Sequence, residues 1–146
     1  MTDNQLYAHR WLSRMWYIDI EIEQLIIRRD AVIASMSGIG KYDAEHIPTQ
    51  DGENATETKN IEYSLLSEQI DKKLLKVSNE NATTLRVIDN VEDNMLRGML
   101  ISRYLNRKTW TQIGKDYNYE RSRAFDYRKL ALDAVYPFIP KGEVEL

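Results

Sequence analysis

The sequence predicts an all-α protein: a long antiparallel helical hairpin of coiled-coil character, followed by a C-terminal helix-turn-helix module. Three observations predict it. Apolar residues recur at alternating steps of three and four along two long stretches. Proline and glycine, the strongest breakers of helix, number only 3 and 6 in 146 residues, and three of the glycines fall between those two stretches. The segment 109–132, TWTQIGKDYNYERSRAFDYRKLAL, places a small residue and a turn-forming residue where two crossing helices need them.

The first stretch runs Ala8, Trp11, Met15, Ile18, Ile22, Leu25, Arg29, Val32, Met36, the seam of one long helix. Thr2 or Asp3 can cap its start, and Ser37, Gly38 and Gly40 end it. Residues 37–58, SGIGKYDAEHIPTQDGENATET, have almost no apolar periodicity and read as a mobile loop. The seam resumes with Tyr63, Leu66, Ile70, Leu74 and Val77 and continues through Asn81, Thr84, Ile88 and Val91, where two polar positions weaken it. Two helices of similar length, each about 45 Å, joined by a loop predict an antiparallel hairpin. It occupies residues 1–88. Leu12, Trp16, Ile26, Ile33, Ile61 and Leu65 lie off the seam. They need a further partner: the C-terminal helices, a second copy of the chain or another protein.

A second module spans residues 89–138, with 139–146 as a tail. Asn90 can cap its first helix, with Glu92 and Asp93 at the positive end of the dipole. That helix runs through Met95, Leu96, Met99, Leu100 and Tyr104 to Leu105, and Asn106-Arg107-Lys108 break it. Thr109 and Gln112 then form a capping box for a short helix, Trp110 to Tyr117. Asn118 can take the left-handed conformation that a sharp turn requires. A last helix follows to Val135, where Pro137 and Pro140 end it. Numbered from Trp110, the apolar positions of a helix-turn-helix fall on Ile113, Tyr117, Tyr119, Ala124 and Tyr127. The position that must be small is Gly114, and the turn position is Asn118. An ordinary helix pair needs neither.

The outward face of the last helix carries Arg121, Ser122, Phe125, Asp126 and Lys129, flanked by Arg123 and Arg128. Basic and small polar side chains suit phosphates and base edges. With Arg107, Lys108, Thr109, Thr111 and Glu120 they form the candidate DNA-contacting set. Phe125 fits either a thymine methyl or packing against the N-terminal hairpin. Glu120 and Asp126 oppose phosphate unless they accept from cytosine amino groups.

Net charge is −3, yet its distribution is uneven. Residues 1–96 hold 10 Lys and Arg against 17 Asp and Glu, whereas residues 97–136 hold 9 against 4. A local basic segment in an acidic chain points to an anionic partner for that segment. The chain has no cysteine, which excludes disulfides and thiolate metal sites and fits a reducing cytosol. No apolar run approaches the roughly 20 residues of a membrane span, and the N-terminus shows no secretory pattern. The two histidines, His9 and His46, have neither metal nor catalytic spacing, and no phosphate-cradling loop follows a strand. No cofactor, metal or catalytic residue is expected, and binding outranks catalysis.

Residues 96–135, and above all RYLNRKTWTQIGKDYNYERSRAFDYRKLAL, resemble region 4 of sigma-70-type factors. The closer resemblance is to ArpU-like late transcriptional regulators of Gram-positive phages and prophages. Those share a long N-terminal helix, a variable loop, a second long helix and this ending. Their turn commonly reads Gly-Tyr-Ser, where this chain has Asn118-Tyr119-Glu120, and a larger aliphatic residue is usual at Ala124. The resemblance implies a sequence-specific regulator in the bacterial cytoplasm that activates late genes for packaging and lysis. It binds promoter DNA, with host RNA polymerase and a second copy of the chain as further partners. Two other readings stay open: a DNA-packaging protein like a terminase small subunit, and an adaptor that binds RNA polymerase or another regulator.

Overall fold

The structure is a computed structural model that describes residues 1–41 and 50–142, with side chains described for 1–36 and 55–142. Among the described residues every regular element is helical. In chain order these are α1 (Asp3–Leu12), α2 (Trp16–Lys41), α3 (Gln50–Ile88), α4 (Asn94–Leu100), a π-helical turn (Ile101–Leu105), α5 (Trp110–Asp116), α6 (Arg121–Val135) and a 3-10 turn (Tyr136–Phe138). No helix among the described residues is long and apolar enough to cross a membrane.

The first helix of the sequence reading is two helices. Thr2 and Gln5 cap α1 reciprocally. At its end, side chains join the backbone amides on the last carbonyls. The Ser13 hydroxyl donates to His9 O at 2.7 Å, and Arg14 Nη1 donates to Trp11 O at 2.9 Å. The apolar spacing from Trp11 to Met15 runs straight through this break, so periodicity alone hides it.

Of the stretch 37–58 expected as a loop, the described residues 37–41 and 50–58 are helical. Helix α2 continues to Lys41 and α3 begins at Gln50, leaving only 42–49 outside the described residues. Glycine weakens a helix by only about 1 kcal/mol, which the rest of a long helix outweighs.

The chain divides into two compact units, and the division is not 1–88 against 89–138. One unit is Trp16–Ser78. The other joins Met1–Met15 to the chain from Asn79 onward. The reason lies on α1. Its buried face, Ala8, Trp11 and Leu12, belongs to the same core as Met99, Leu100, Ile113, Leu132 and Val135. Gln5 is buried, and its Nε2 donates to both carboxylate oxygens of Asp133 on α6, at 3.1 and 3.0 Å. The supposed tail also belongs here: Ile139 is buried, and the Tyr7 hydroxyl donates to Pro140 O at 3.3 Å.

The polar positions in the second seam have a purpose. Thr84 is 1% exposed and accepts from Arg14 Nη1 at 2.9 Å while donating to Glu80 O at 3.1 Å. Arg14 also pairs with Glu80 at 2.9 Å and lies 3.8 Å above the Trp11 ring. The start of α4 is capped by Asp93, whose carboxylate accepts from the amides of Met95 and Leu96. Asn90 instead donates to Arg86 O within the end of α3.

In the unit Trp16–Ser78, Ile22, Val32, Ile70 and Val77 are buried, whereas Leu74 of the expected seam is exposed. Arg28 pairs with Glu62 at 2.6 Å, Lys73 pairs with Glu21, Arg29 lies over the Tyr63 ring, and Lys59 donates to Ser35. From Glu21 through Arg28 to Ser35 on α2, the partners on α3 are Lys73, Glu62 and Lys59.

Candidate nucleic-acid interface

The site is built on α5, α6 and the turn between them. Thr109 accepts from the Gln112 amide at 3.2 Å, and Gln112 Oε1 accepts from the Thr109 amide at 2.9 Å. This capping box fixes where α5 begins. Ile113 and Gly114 are buried on its inner face. At the far end Tyr117 N donates to Ile113 O at 3.0 Å and Tyr119 N donates to Gly114 O at 2.7 Å. Between them Asn118 stands at φ 60°, the left-handed conformation that the turn demands.

The inner face of α6 closes on this corner. Ala124 is 1% exposed. A methyl group on Gly114 would lie 3.0 Å from Tyr119 O and 3.3 Å from Ala124 Cβ. Of the residues expected to be apolar and internal, Ile113 and Ala124 are fully buried, while Tyr117, Tyr119 and Tyr127 are half-buried. The tyrosines form the wall between this corner and α4. Tyr117 sets its hydroxyl against the space where Gly98 lacks a side chain. The Tyr119 and Tyr127 rings are 4.8 Å apart, and the Tyr119 hydroxyl lies 3.5 Å from Met95 Sδ. Hydrogen bonding to Tyr127 pushes the Tyr119 phenol above its ordinary value.

The outward side chains divide into two groups. Thr111, Glu120, Arg121, Ser122, Arg123, Asp126 and Lys129 are exposed. Arg121 lies over Phe125 at 5.6 Å, and Arg123 over Tyr119 at 5.5 Å. Asn118, Tyr119, Glu120, Ser122, Arg123 and Asp126 line a polar cleft of about 570 Å³ at the start of α6. Glu120 is the N-cap of α6 but makes no side-chain cap bond, so its carboxylate does not serve the first-turn amides. Lys108 is exposed and paired with Asp116 at 2.8 Å.

Three of the candidate residues sit differently from the rest. Phe125 is half-buried beside Arg121 rather than fully presented. Arg107 is half-buried with φ 61°, a backbone conformation unusual for a side chain of its size. Arg128 is half-buried with its Nε fully buried, and its charge lies beside the Tyr104 phenol. The outward placement expected of Arg128 is therefore corrected: its position brings it beside the π-helical turn. Tyr104 is 3% exposed, and burial pushes its phenol up to about 12. His9 Nδ1 of α1 lies 2.8 Å from the same hydroxyl. Burial, and then the charges of Arg128, Arg103 and Arg10, lower the His9 pKa.

Sequence reasoning missed Gly98, the left-handed backbone of Arg107 and the His9–Tyr104–Arg128 cluster. Only Gly98 left a signal, as an isolated glycine in a helical pattern, which commonly marks a close approach. Among the described residues no three or more His, Cys, Asp or Glu come together as a metal site. Compared with family models, with curated proteins and with solved structures, the chain gives no match in any of the three.

Proposed function

We propose that α5 and α6 form a helix-turn-helix that reads double-stranded promoter DNA, and that the protein is a transcriptional regulator. The observation that carries this reading is the corner at Gly114, Asn118 and Ala124, followed by exposed Arg121, Ser122, Arg123 and Lys129 on one helix. The crossing sets α6 as a separate rod, and its exposed side chains combine phosphate partners with base-edge partners. Amides at the start of α6, unserved by Glu120, add donors for a phosphate. Arg128 is left out of the contact set because it faces Tyr104.

In the fuller proposal, α2 and α3 form an antiparallel hairpin, supported by their descending series of paired residues. The DNA-reading unit acts at late promoters of a phage or prophage with the host RNA polymerase in the bacterial cytoplasm, as the resemblance to ArpU-like regulators implies. Selection of sites from a random duplex library, followed by shift assays on the selected sites at low and high salt, tests the reading. Enrichment of one motif supports it. No enrichment, with binding at low salt equal for all duplexes, overturns it.

A further inference from the structure

We propose that the outer edge of α2 is a self-association surface, on which a second copy of this chain packs antiparallel about a two-fold axis.

Helix α2 is apolar on two sides. Ile22 and Val32 are buried on the side engaged with α3. Tyr17, Ile20, Gln24, Ile27 and Ala31 form a second seam, again at steps of three and four, on the opposite side. Tyr17 is 84% exposed, Ile27 60% and Ile20 45%. A helix apolar all round is one that other helices cover on more than one side. This stripe contains no charged residue, as the centre of an interface requires. The corresponding outer edge of α3 has exposed Ile61 and Leu65, but the ion pair of Glu68 with Lys72 at 3.1 Å interrupts it.

The stripe complements itself when the second copy runs the other way. About an axis at Gln24, Tyr17 meets the second copy's Ala31, large against small, and Ile20 meets the second copy's Ile27. The two Gln24 amides meet each other at the axis, where a lone polar residue fixes register. Glu21 and Arg28 are seven residues apart and so flank the same side of the stripe. Antiparallel pairing sets Glu21 against the second copy's Arg28, twice per dimer. Parallel pairing would instead set this flank against the second copy's Glu23 and Asp30. Both side chains stay accessible, at 53% and 61%, while holding Lys73 and Glu62 of their own chain. Glu23 and Asp30 line the other flank, and their like charges oppose pairing and limit its strength.

Sedimentation equilibrium of the full chain at micromolar and higher concentrations gives the test. The expected result is a dimer of twice the 17.2 kDa chain mass. Ile27→Asp gives a monomer of unchanged helicity by circular dichroism, and Ile61→Asp on α3 still dimerises. Glu21→Arg and Arg28→Glu each raise the dissociation constant by roughly tenfold or more, and the double variant recovers most of the loss. The double exchange cannot repair the bonds to Lys73 and Glu62 within the chain, so its recovery reports contact between copies even if Ile27→Asp fails to fold. A monomer at every concentration, a ring of more than two copies, loss of the dimer through Ile61→Asp instead of Ile27→Asp, or a double variant as weak as its weaker parent each overturns the proposal.

Discussion

The amide of Tyr119 donates to the carbonyl of Gly114 at 2.7 Å, and the carbonyl of Tyr119 lies 3.0 Å from where a Gly114 side chain would begin. One residue thus both bonds to Gly114 and crowds any side chain placed there. Gly114→Leu must push the turn away from α5 and break that bond. We expect a loss of about 3 kcal/mol, the upper range for forcing bulk into a packed site. Urea unfolding followed by circular dichroism checks it. A loss near zero would show that α5 and α6 do not cross this closely.

Two non-glycine residues of the described chain stand at positive φ, Arg107 at 61° and Asn118 at 60°. Asparagine adopts this conformation at lower cost than arginine does. Asn118→Val should cost about 1–2 kcal/mol, whereas Asn118→Gly should be close to neutral. Arg107→Gly should stabilise the fold by up to about 1 kcal/mol through relief of the same strain. Where Arg107 also holds a phosphate, that variant binds DNA more weakly while melting higher. Thermal melts and DNA titrations on one preparation separate the two effects, and a less stable Arg107→Gly would refute the strain.

His9 makes stability depend on pH near neutrality. Its folded pKa lies below the ordinary 6.5, chiefly through burial. The unfolded chain therefore takes up a proton more readily than the folded one. Stability is full above 6.5 and falls as pH drops from there toward the lower folded value. Unfolding free energies measured from slightly alkaline to mildly acidic pH should decline over that window in the native protein. In His9→Gln the decline should flatten, and an unchanged slope would assign the proton elsewhere.

Much of this architecture was legible because helix and turn signals are local. The capping box at Thr109, the left-handed Asn118 and the small Gly114 each follow from what one or two neighbouring residues need. The break at Ser13–Met15 was not legible, since Arg14 bonds to Trp11 O, Thr84 and Glu80, and Glu80 lies 66 positions away. The membership of α1 in the C-terminal unit depends likewise on Gln5 and Asp133, which are 128 positions apart. Arg128 looked outward by helical spacing alone. Its direction was decided by Tyr104, which the sequence had marked only as apolar filling.

Helix α6 yields the prediction that bears most directly on the proposed function. Arg121 and Lys129 are both exposed on α6, but they stand at opposite ends of its first two turns. In the docking of a helix-turn-helix, residues near the start of the second helix reach base edges, and later ones meet the backbone. Arg121→Ala should therefore cost about 1–3 kcal/mol on the selected site and much less on random duplex. Lys129→Ala should weaken both and lower the slope of log affinity against log salt by about one unit. Arg128→Ala, with its side chain on Tyr104, should change stability more than the salt slope. Titrations of the three variants against specific and random duplexes across a salt series give all of these numbers. If Arg121→Ala and Lys129→Ala bind the selected site as the native protein does, this face of α6 is not the reading face.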